Sequence, residues 1–249
     1  MKKHIPNIIT CCNLICGCIA TYCAFHHGYD AAFLFILLGA FFDFFDGMAA
    51  RALGVSGPLG LQLDSLADCV TFGVAPSAMI FTMFFRVQYP EFMDTQYVRM
   101  IMPFTAFLIA AFSALRLAKF NIDERQHTGF IGMPTPANAI FWASLISSSE
   151  MWLAGPRFNV IFLFLFMILF CWLLVCEVPM FAFKKMSWAE GKIKFIYLGL
   201  CAVILVAGAI AGGNDENMTI MQGMIRALAG CIGLYVIMSL VASRLPKND

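Results

Sequence analysis

The amino-acid sequence predicts an all-α fold, a polytopic transmembrane helix bundle of about eight spans. Hydrophobic residues fill 61% of the 249 positions and charged residues only 12%, whereas soluble domains average about 45–50% and about 25%. The uncharged residues also lie in long runs, several of which approach the ~20 residues that a helix needs to cross a bilayer. A disordered chain is thereby excluded, and a water-soluble domain is disfavoured.

Eight spans are predicted when each charge-free run is extended into its neighbouring polar residues. They cover residues 7–26, 31–52, 62–86, 99–119, 135–153, 158–180, 194–212 and 221–243. The first begins like a signal peptide, with Lys2 and Lys3 before an apolar stretch, but Asn7 and Asn13 interrupt that stretch and no clear small-residue cleavage site follows. We therefore interpret it as the first membrane helix.

The later spans differ in the strength of their signal. A segment rich in glycine and proline, residues 52–58, separates the second span from the third and is predicted to fold the two helices back on each other. The fifth span is the weakest, because Pro134, Pro136 and the serines at 147–149 dilute its hydrophobicity. The two prolines predict a stiff, non-helical approach to that span.

The basic residues are divided unequally between the two sides of the predicted bundle. The side of the termini has twelve: Lys2, Lys3, Arg51, Arg116, Lys119, Arg125, Lys184, Lys185, Lys192, Lys194, Arg244 and Lys247. The opposite side has four: Arg86, Arg99, Arg157 and Arg226. Because cytoplasmic loops carry the excess of Lys and Arg, we expect both termini in the cytoplasm and the chain in the inner membrane of a cell.

Net charge and cysteine usage exclude two further classes. A net charge of +1 gives no reason to expect a nucleic-acid partner. Five of the ten cysteines lie between Cys11 and Cys23 in an apolar helix, and no C-x-x-C pair occurs. They are therefore predicted to be small hydrophobic residues and not a disulfide framework.

Four of the fifteen acidic residues lie within 26 positions, on both sides of the 52–58 segment. They are Asp43, Asp46, Asp64 and Asp68. Helical spacings of i,i+3 and i,i+4 put each pair on one helix face, and the intervening turn brings the two faces together. Four carboxylates at the edge of the hydrocarbon require cations, and a site of oxygen ligands alone favours Mg²⁺ or Mn²⁺.

Two divalent ions held by shared carboxylates suit phosphoryl-type transfer. Such ions clamp the oxygens of a diphosphate and offset the charge that builds on the leaving phosphate. Gly47 and Gly60 would let a phosphate or sugar approach the backbone, and Arg51 supplies a fixed positive fork for a phosphate. The residues by themselves predict a metal site for a phosphorylated substrate.

The spacing of these residues resembles the signature of the CDP-alcohol phosphotransferase family, D-x2-D-G-x2-A-R-x8-G-x3-D-x3-D. Every fixed position is filled, by Asp43, Asp46, Gly47, Ala50, Arg51, Gly60, Asp64 and Asp68. Members join an alcohol to the lipid-bearing phosphate of a CDP-linked donor and release CMP. The resemblance implies that Asp43, Asp46 and Asp64 hold the metals. It implies that Asp68 completes the second metal site or acts as general base on the alcohol, and that Gly47, Ala50, Arg51 and Gly60 border the CDP.

Three further stretches resemble the phosphatidylserine synthase branch of that family. They are IPNIITCCNL at 5–14, SALRLAKFN at 113–121 and FIGMPTPA at 130–137. This resemblance implies CDP-diacylglycerol and L-serine as substrates, and a homodimer. It also implies one integral membrane domain over 1–249, with a catalytic six-helix core in 1–190 and two additional C-terminal helices in 191–249.

Polar residues after the fourth predicted span have a functional and a structural interpretation. Arg116 and Lys119 share a helix face and are predicted to meet the serine carboxylate or the donor phosphate, unless they serve only topology and lipid headgroups. Asn121 either caps the helix end or contacts substrate. His127 is a weaker candidate for substrate contact, and Glu177 is expected at the membrane interface.

The first span carries a polar stripe at i, i+3 and i+6, formed by Asn7, Thr10 and Asn13. We expect it to line the nucleotide cleft, although polar residues inside membranes also make plain helix contacts. His26 and His27 fall at the opposite membrane edge and are expected to be interfacial.

Two other functions remain compatible with the sequence. One is the same chemistry on another alcohol, such as glycerol 3-phosphate or inositol. The other is a divalent-cation transporter that uses the four aspartates as an ion path. Transport would favour acids spread through the membrane depth on broken helices, whereas these acids gather at one edge.

Overall fold

Backbone polar groups in hydrocarbon must be satisfied within the protein, which favours helices for the apolar runs of this chain. The computed structural model describes residues 4–55, 57–123, 130–180, 188–214 and 218–242. These form ten α-helices: α1 (Ile5–Phe25), α2 (Tyr29–Leu53), α3 (Pro58–Asp68), α4 (Ala75–Phe84), α5 (Gln96–Ile101), α6 (Leu108–Ile122), α7 (Thr135–Leu153), α8 (Val160–Val175), α9 (Trp188–Asn214) and α10 (Ile220–Ala242). Two short strands, β1 (Phe130–Ile131) and β2 (Pro179–Met180), pair antiparallel.

Six helical segments in the described part of the chain are long and apolar enough to cross a membrane. They are Ile5–Phe25, Tyr29–Leu53, Pro58–Phe84, Gln96–Ile122, Ile196–Asn214 and Ile220–Val241. The helix α8 is apolar but has only 16 residues, and α7, at the weakest predicted span, does not reach the same hydropathy. The all-α membrane bundle is confirmed, and the number of eight spans stays a prediction.

The turn between the second and third spans forms as the sequence predicts. The helix α2 ends at Gly54, whose φ of 62° is a left-handed conformation that glycine adopts without steric cost. Pro58 then occupies the first turn of α3, where a missing N–H is tolerated. The third span therefore begins at Pro58, four residues before its predicted start at 62.

The third span also contains an irregular helical segment that the sequence does not predict. Residues Cys69–Val74 form a π-helical segment that joins α3 to α4 in one continuous helix. It begins directly after Asp68. Such segments inside α-helices are frequent at functional sites.

The sixth predicted span is too long, because α8 ends at Val175. Cys176 has extended backbone, and the carbonyl of Leu173 accepts the backbone N–H of Met133 at 2.8 Å. Gly132 makes this approach feasible: its φ is 74°, and a Cβ there would lie 2.8 Å from the carbonyl oxygen of Leu174. The segment before α7 thus takes the place of a further helical turn of α8.

Helix packing gives the bundle two distinct ends. The helix α1 packs along α2 and the third span, α7 packs against α2, α4 and α10, and α9 packs mainly on α10. We call the end with the C-terminus of α2 and the N-terminus of α3 the aspartate end. At the far end, Arg86 forms an ion pair with Glu150, and Ser147 donates a hydrogen bond to Asp30.

The cysteines do not form a disulfide framework. All ten are free thiols, and several lie buried against neighbouring helices, including Cys16, Cys171 and Cys231. Cys16, Cys171, Cys176 and Cys231 are buried as the sequence predicts, whereas Cys11 and Cys18 are exposed.

Candidate active site

Three of the four predicted aspartates converge between α2 and α3. Carboxylate oxygens of Asp43, Asp64 and Asp68 all lie within 4.8 Å of one another. The i,i+4 spacing puts Asp64 and Asp68 on one face of α3, and the turn at Gly54 sets α2 beside that face. Asp68 is only 8% exposed and Asp43 and Asp64 are half-buried, so the cluster is partly enclosed by the bundle.

The fourth aspartate, Asp46, is held by the first helix. The Thr10 hydroxyl donates a hydrogen bond to Asp46 Oδ2 at 2.5 Å, and both side chains are buried. Asp46 is not one of the three converging carboxylates. Because each carboxylate oxygen has two lone pairs, this bond leaves Asp46 able to ligate a cation beside them.

The first helix also holds Asp68, through Asn13. Asn13 Nδ2 donates to Asp68 Oδ1 at 3.1 Å, and the Thr71 hydroxyl in the π-helical segment donates to the Asn13 backbone carbonyl at 3.0 Å. Glycines make the approach feasible. A Cβ on Gly39 would lie 2.9 Å from Asn13 Oδ1, and one on Gly17 would lie 2.7 Å from the Cα of Thr71.

The converging carboxylates have no basic partner among the described side chains. The ion pairs found in that part of the chain are Arg86–Glu150 and Arg99–Asp94, which lie away from the cluster. Asp64 Oδ1 is buried and accepts no hydrogen bond from a described residue. Adjacent buried carboxylates repel one another and are costly without a cation. The donor set is made of oxygens, as Mg²⁺ or Mn²⁺ prefers, so a divalent metal fits this site.

Two glycines of the motif lie next to polar side chains. A Cβ on Gly60 would lie 3.5 Å from Asn7 Oδ1, and one on Gly47 would lie 3.5 Å from Arg51 Nη1. Ala50 is half-buried on α2 beside them, and Arg51 is exposed. Asn7 of α1 therefore lies beside Gly60 of α3, and Gly47 and Arg51 are neighbours on α2.

A cavity of about 330 Å³ lies where α6 and α8 end. It is lined by Arg116, Lys119, Ile122, Asp123, Ile131, Leu174, Val175, Cys176 and Glu177. The cavity therefore carries charges of both signs. Glu177 is solvent-exposed, as expected of an interfacial residue, but it also belongs to this wall, and the sequence does not reveal that role.

Arg116 is the deepest cation of the cavity wall. It is 7% exposed, its Nη1 lies 3.4 Å from the Thr135 hydroxyl, and its guanidinium stacks on the Phe120 ring. Its Nε is buried without a hydrogen-bond partner among the described residues. One turn beyond Thr135, both amide atoms of the fully buried Asn138 also lack such partners. The sequence gives no sign that Asn138 is a functional residue, because a single polar residue in an apolar helix has an ordinary structural explanation.

The remaining predicted residues fall in different places. Asn121 does not line the cavity; its Nδ2 donates to the Ser65 hydroxyl at 2.8 Å and so ties α6 to α3. Its predicted contact with substrate stays a prediction. His26 and His27 lie at the far end, where the ring of His27 is 3.2 Å from the Tyr29 hydroxyl. His127 lies outside the described residues.

Comparisons with known proteins agree with the motif. A sequence model described as CDP-alcohol phosphatidyltransferase matches residues 3–239. A Bacillus subtilis protein named CDP-diacylglycerol–serine O-phosphatidyltransferase is 41% identical over 138 residues, which are 54% of this chain and 70% of that protein. A Helicobacter pylori protein of the same name is 30% identical over 90% of both chains. One from Methanocaldococcus jannaschii is 31% identical over 72% of this chain and 86% of its own.

Replacing Thr10 with valine removes the hydroxyl that holds Asp46 and leaves the side-chain shape nearly unchanged. We expect the affinity of the purified protein for Mn²⁺ to fall about 10-fold or more, because partners that orient metal ligands typically contribute that much. The measurement is a titration that follows free Mn²⁺ by electron paramagnetic resonance. Thr105→Val is the matched control, since the Thr105 hydroxyl donates to the carbonyl of Met102 outside the site. Equal affinities in T10V and wild type would show that this hydroxyl does not orient a metal ligand.

Proposed function

The chain belongs to the CDP-alcohol phosphatidyltransferase family, and from that premise we propose that it transfers the phosphatidyl group of CDP-diacylglycerol to the hydroxyl of L-serine. The products are phosphatidylserine and CMP, which makes the protein an integral membrane transferase of phospholipid biosynthesis. The observation that carries the proposal is the convergence of Asp43, Asp64 and Asp68. Relatives that bear the name of this activity match most of the chain.

The proposal assigns the metal to the four aspartates. Asp43, Asp46, Asp64 and Asp68 would hold two divalent ions, Mg²⁺ or Mn²⁺. When bound, such ions neutralise the diphosphate and the charge that develops on the leaving phosphate. The chain itself keeps the carboxylates in place through the hydrogen bonds from Thr10 and Asn13.

The nucleotide would lie in the cleft between α1, α2 and α3. Gly47 and Gly60 leave the backbone accessible there, and Asn7 faces Gly60 from the first helix. Arg51 is exposed at the rim of the cleft and is free to turn its guanidinium toward a phosphate. Ala50, on the same helix, would border the CDP without crowding it.

Asp68 is proposed to assist deprotonation of the serine hydroxyl. The serine oxygen attacks the lipid-side phosphorus, a new P–O bond forms, and the bond to CMP breaks as the hydroxyl proton passes to the carboxylate. A positioned base is useful because a neutral hydroxyl is a weak nucleophile. Asn13 occupies Asp68 Oδ1, so Oδ2 is the oxygen proposed to receive the proton.

The charged cavity would receive serine. Arg116 and Lys119 offer hydrogen-bond donors to the serine carboxylate. Glu177, which lines the same cavity, offers an acceptor to the serine ammonium group. A wall with charges of both signs suits a zwitterion such as serine. Glycerol 3-phosphate carries only negative charge and inositol is uncharged, so both suit this wall less well. The cavity therefore favours serine over the alternative alcohols.

The proposed orientation and assembly have other support. The unequal division of basic residues supports a cytoplasmic position for both termini and for the aspartate end, in the inner membrane of the cell. The homodimer implied by the family resemblance is kept as part of the proposal. So is the division into a catalytic core over 1–190 and two added helices over 191–249, although α10 packs directly on α7 of that core.

The headgroup can be tested with one preparation of purified protein and four acceptors. With CDP-diacylglycerol and Mn²⁺ present, we expect CMP release with L-serine and background release with glycerol 3-phosphate, inositol or no acceptor. Turnover with glycerol 3-phosphate or inositol in place of serine would replace the proposed substrate. Metal flux into liposomes without CDP-diacylglycerol, together with no CMP release, would instead support the transporter.

Replacing Asp68 with asparagine tests the proposed base. At saturating Mn²⁺ we expect turnover to fall by about 100-fold or more, the usual contribution of a general base. Asp94→Asn is the matched control, because Asp94 is exposed and pairs with Arg99 away from the cluster. Near-normal turnover in D68N would remove Asp68 both as base and as essential metal ligand.

Replacing Arg116 with glutamine tests whether this residue binds the serine carboxylate or the donor phosphate. If Arg116 binds the serine carboxylate, the KM for serine should rise about tenfold or more, since a charge-assisted hydrogen bond is worth about 1.5–3 kcal/mol. The KM for CDP-diacylglycerol should stay constant, and Arg116→Lys should recover part of the loss. Arg51→Gln is the contrasting variant, expected to raise the KM for CDP-diacylglycerol. A rise in that KM for R116Q would assign Arg116 to the donor phosphate.

A further inference from the structure

A second and larger cavity lies at the far end of the bundle, between α7, α8 and α10. Its volume is about 770 Å³, and most of its walls are aromatic or aliphatic. We call it the distal groove. Phe141 and Trp142 line it from α7, Phe162 and Phe166 from α8, and Gly233 from α10. Space beside Gly233 is open, since a Cβ there would meet nothing within 4 Å.

The distal groove contains two arginines, Arg157 and Arg226. Arg226 Nη2 donates to the Ser148 backbone carbonyl at 2.8 Å, which fixes its guanidinium at the wall. Arg157 lies in the turn between α7 and α8 and is exposed. Neither guanidinium forms an ion pair with a carboxylate in the described part of the chain.

The other far-side arginines differ from these two, because each forms an ion pair with a carboxylate. The sequence places four arginines on this side of the membrane. Arg86 is neutralised by Glu150 and Arg99 by Asp94. The two cations without a carboxylate partner among the described residues are therefore the two that share the distal groove, which concentrates positive charge at the mouth of an apolar cavity.

The groove extends inward through most of one membrane leaflet. Its α8 wall runs from Phe162 to Leu169, about 11 Å at 1.5 Å per residue. Half of a bilayer's hydrocarbon core is about 15 Å thick. Trp152 lies near the mouth, where tryptophan is common at membrane interfaces. Charge at the interface and an apolar wall that runs inward from it are complementary to a lipid phosphate and its acyl chain.

We propose that the distal groove binds an anionic phospholipid of the leaflet opposite the aspartate end. The phosphate lies between Arg157 and Arg226, and one acyl chain runs inward along Phe162 and Phe166. This site is separate from the reaction, because Arg116 and the aspartates lie at the other end of the helices. The bound lipid holds α10 against α7 and α8, and so joins the C-terminal helices to the rest of the bundle.

Native mass spectrometry of the detergent-purified protein tests this site with dioleoylphosphatidylglycerol as the probe. We expect one tightly bound copy, and dioleoylphosphatidylcholine at equal concentration should bind more weakly. Arg157→Gln should reduce the affinity for the anionic lipid about fivefold or more, as expected from one cation near the membrane surface. Arg226→Lys, which retains the charge, should bind nearly as well as wild type.

Arg99→Gln is the matched control, a far-side arginine outside the groove, and its lipid affinity should equal that of wild type. Thermal unfolding supplies a second readout, since the anionic lipid should stabilise wild type and R99Q more than R157Q.

Equal binding of both lipids, or equal binding by R157Q and wild type, would overturn the proposal. Binding lost in Arg51→Gln but kept in R157Q would place the lipid at the aspartate end. A dimer that dissociates in R157Q without any change in lipid binding would assign the groove to a second copy of the chain.

Discussion

The mutual repulsion of converging carboxylates is the constraint on which the rest of this structure depends. Asp43, Asp64 and Asp68 meet within 4.8 Å inside a membrane protein, without a basic partner in the described part of the chain. Such a cluster is unfavourable unless a cation binds it. Holding these carboxylates together costs the fold stability that a bound cation would restore. A left-handed glycine after α2 and a proline that opens α3 supply the tight turn that holds them together.

The first helix provides most of the remaining support. Thr10 and Asn13 each donate one hydrogen bond to an aspartate, and the backbone of Asn13 is held in turn by Thr71. These bonds require helices that nearly touch, and Gly17 and Gly39 allow that approach. Small residues and interhelical hydrogen bonds are the usual means by which membrane helices associate, since apolar burial gives little advantage within lipid. Here the same contacts that assemble the bundle also orient the candidate metal ligands.

The parts of this structure that follow from local spacing were predictable from the sequence, and those that depend on long-range packing were not. The turn at 52–58 and the facing of Asp43 toward Asp64 follow from helical periodicity and turn residues. The π-helical segment after Asp68 has no such signal, because it arises where the third span packs against α1 and α6. The contact of Asn121 with Ser65 and the membership of Glu177 in the cavity wall join residues far apart in sequence. Helical periodicity and turn residues carry no information on such pairs.

Because the chain has few charged residues, the position of each one strongly affects which ligands the protein can bind. At the aspartate end, acids and the basic residues of α6 lie near each other without cancelling, because Arg116 bonds Thr135 and not an aspartate. A polar substrate that entered there would meet a candidate metal-binding cluster on one side and a cavity of mixed sign on the other. At the far end, Arg86 and Arg99 are neutralised within the protein, so Arg157 and Arg226 remain to attract an external anion. Under the two proposals, the two ends of one helix bundle would thus bind different ligands for the same physical reason: charge that the protein does not neutralise attracts a partner of opposite sign.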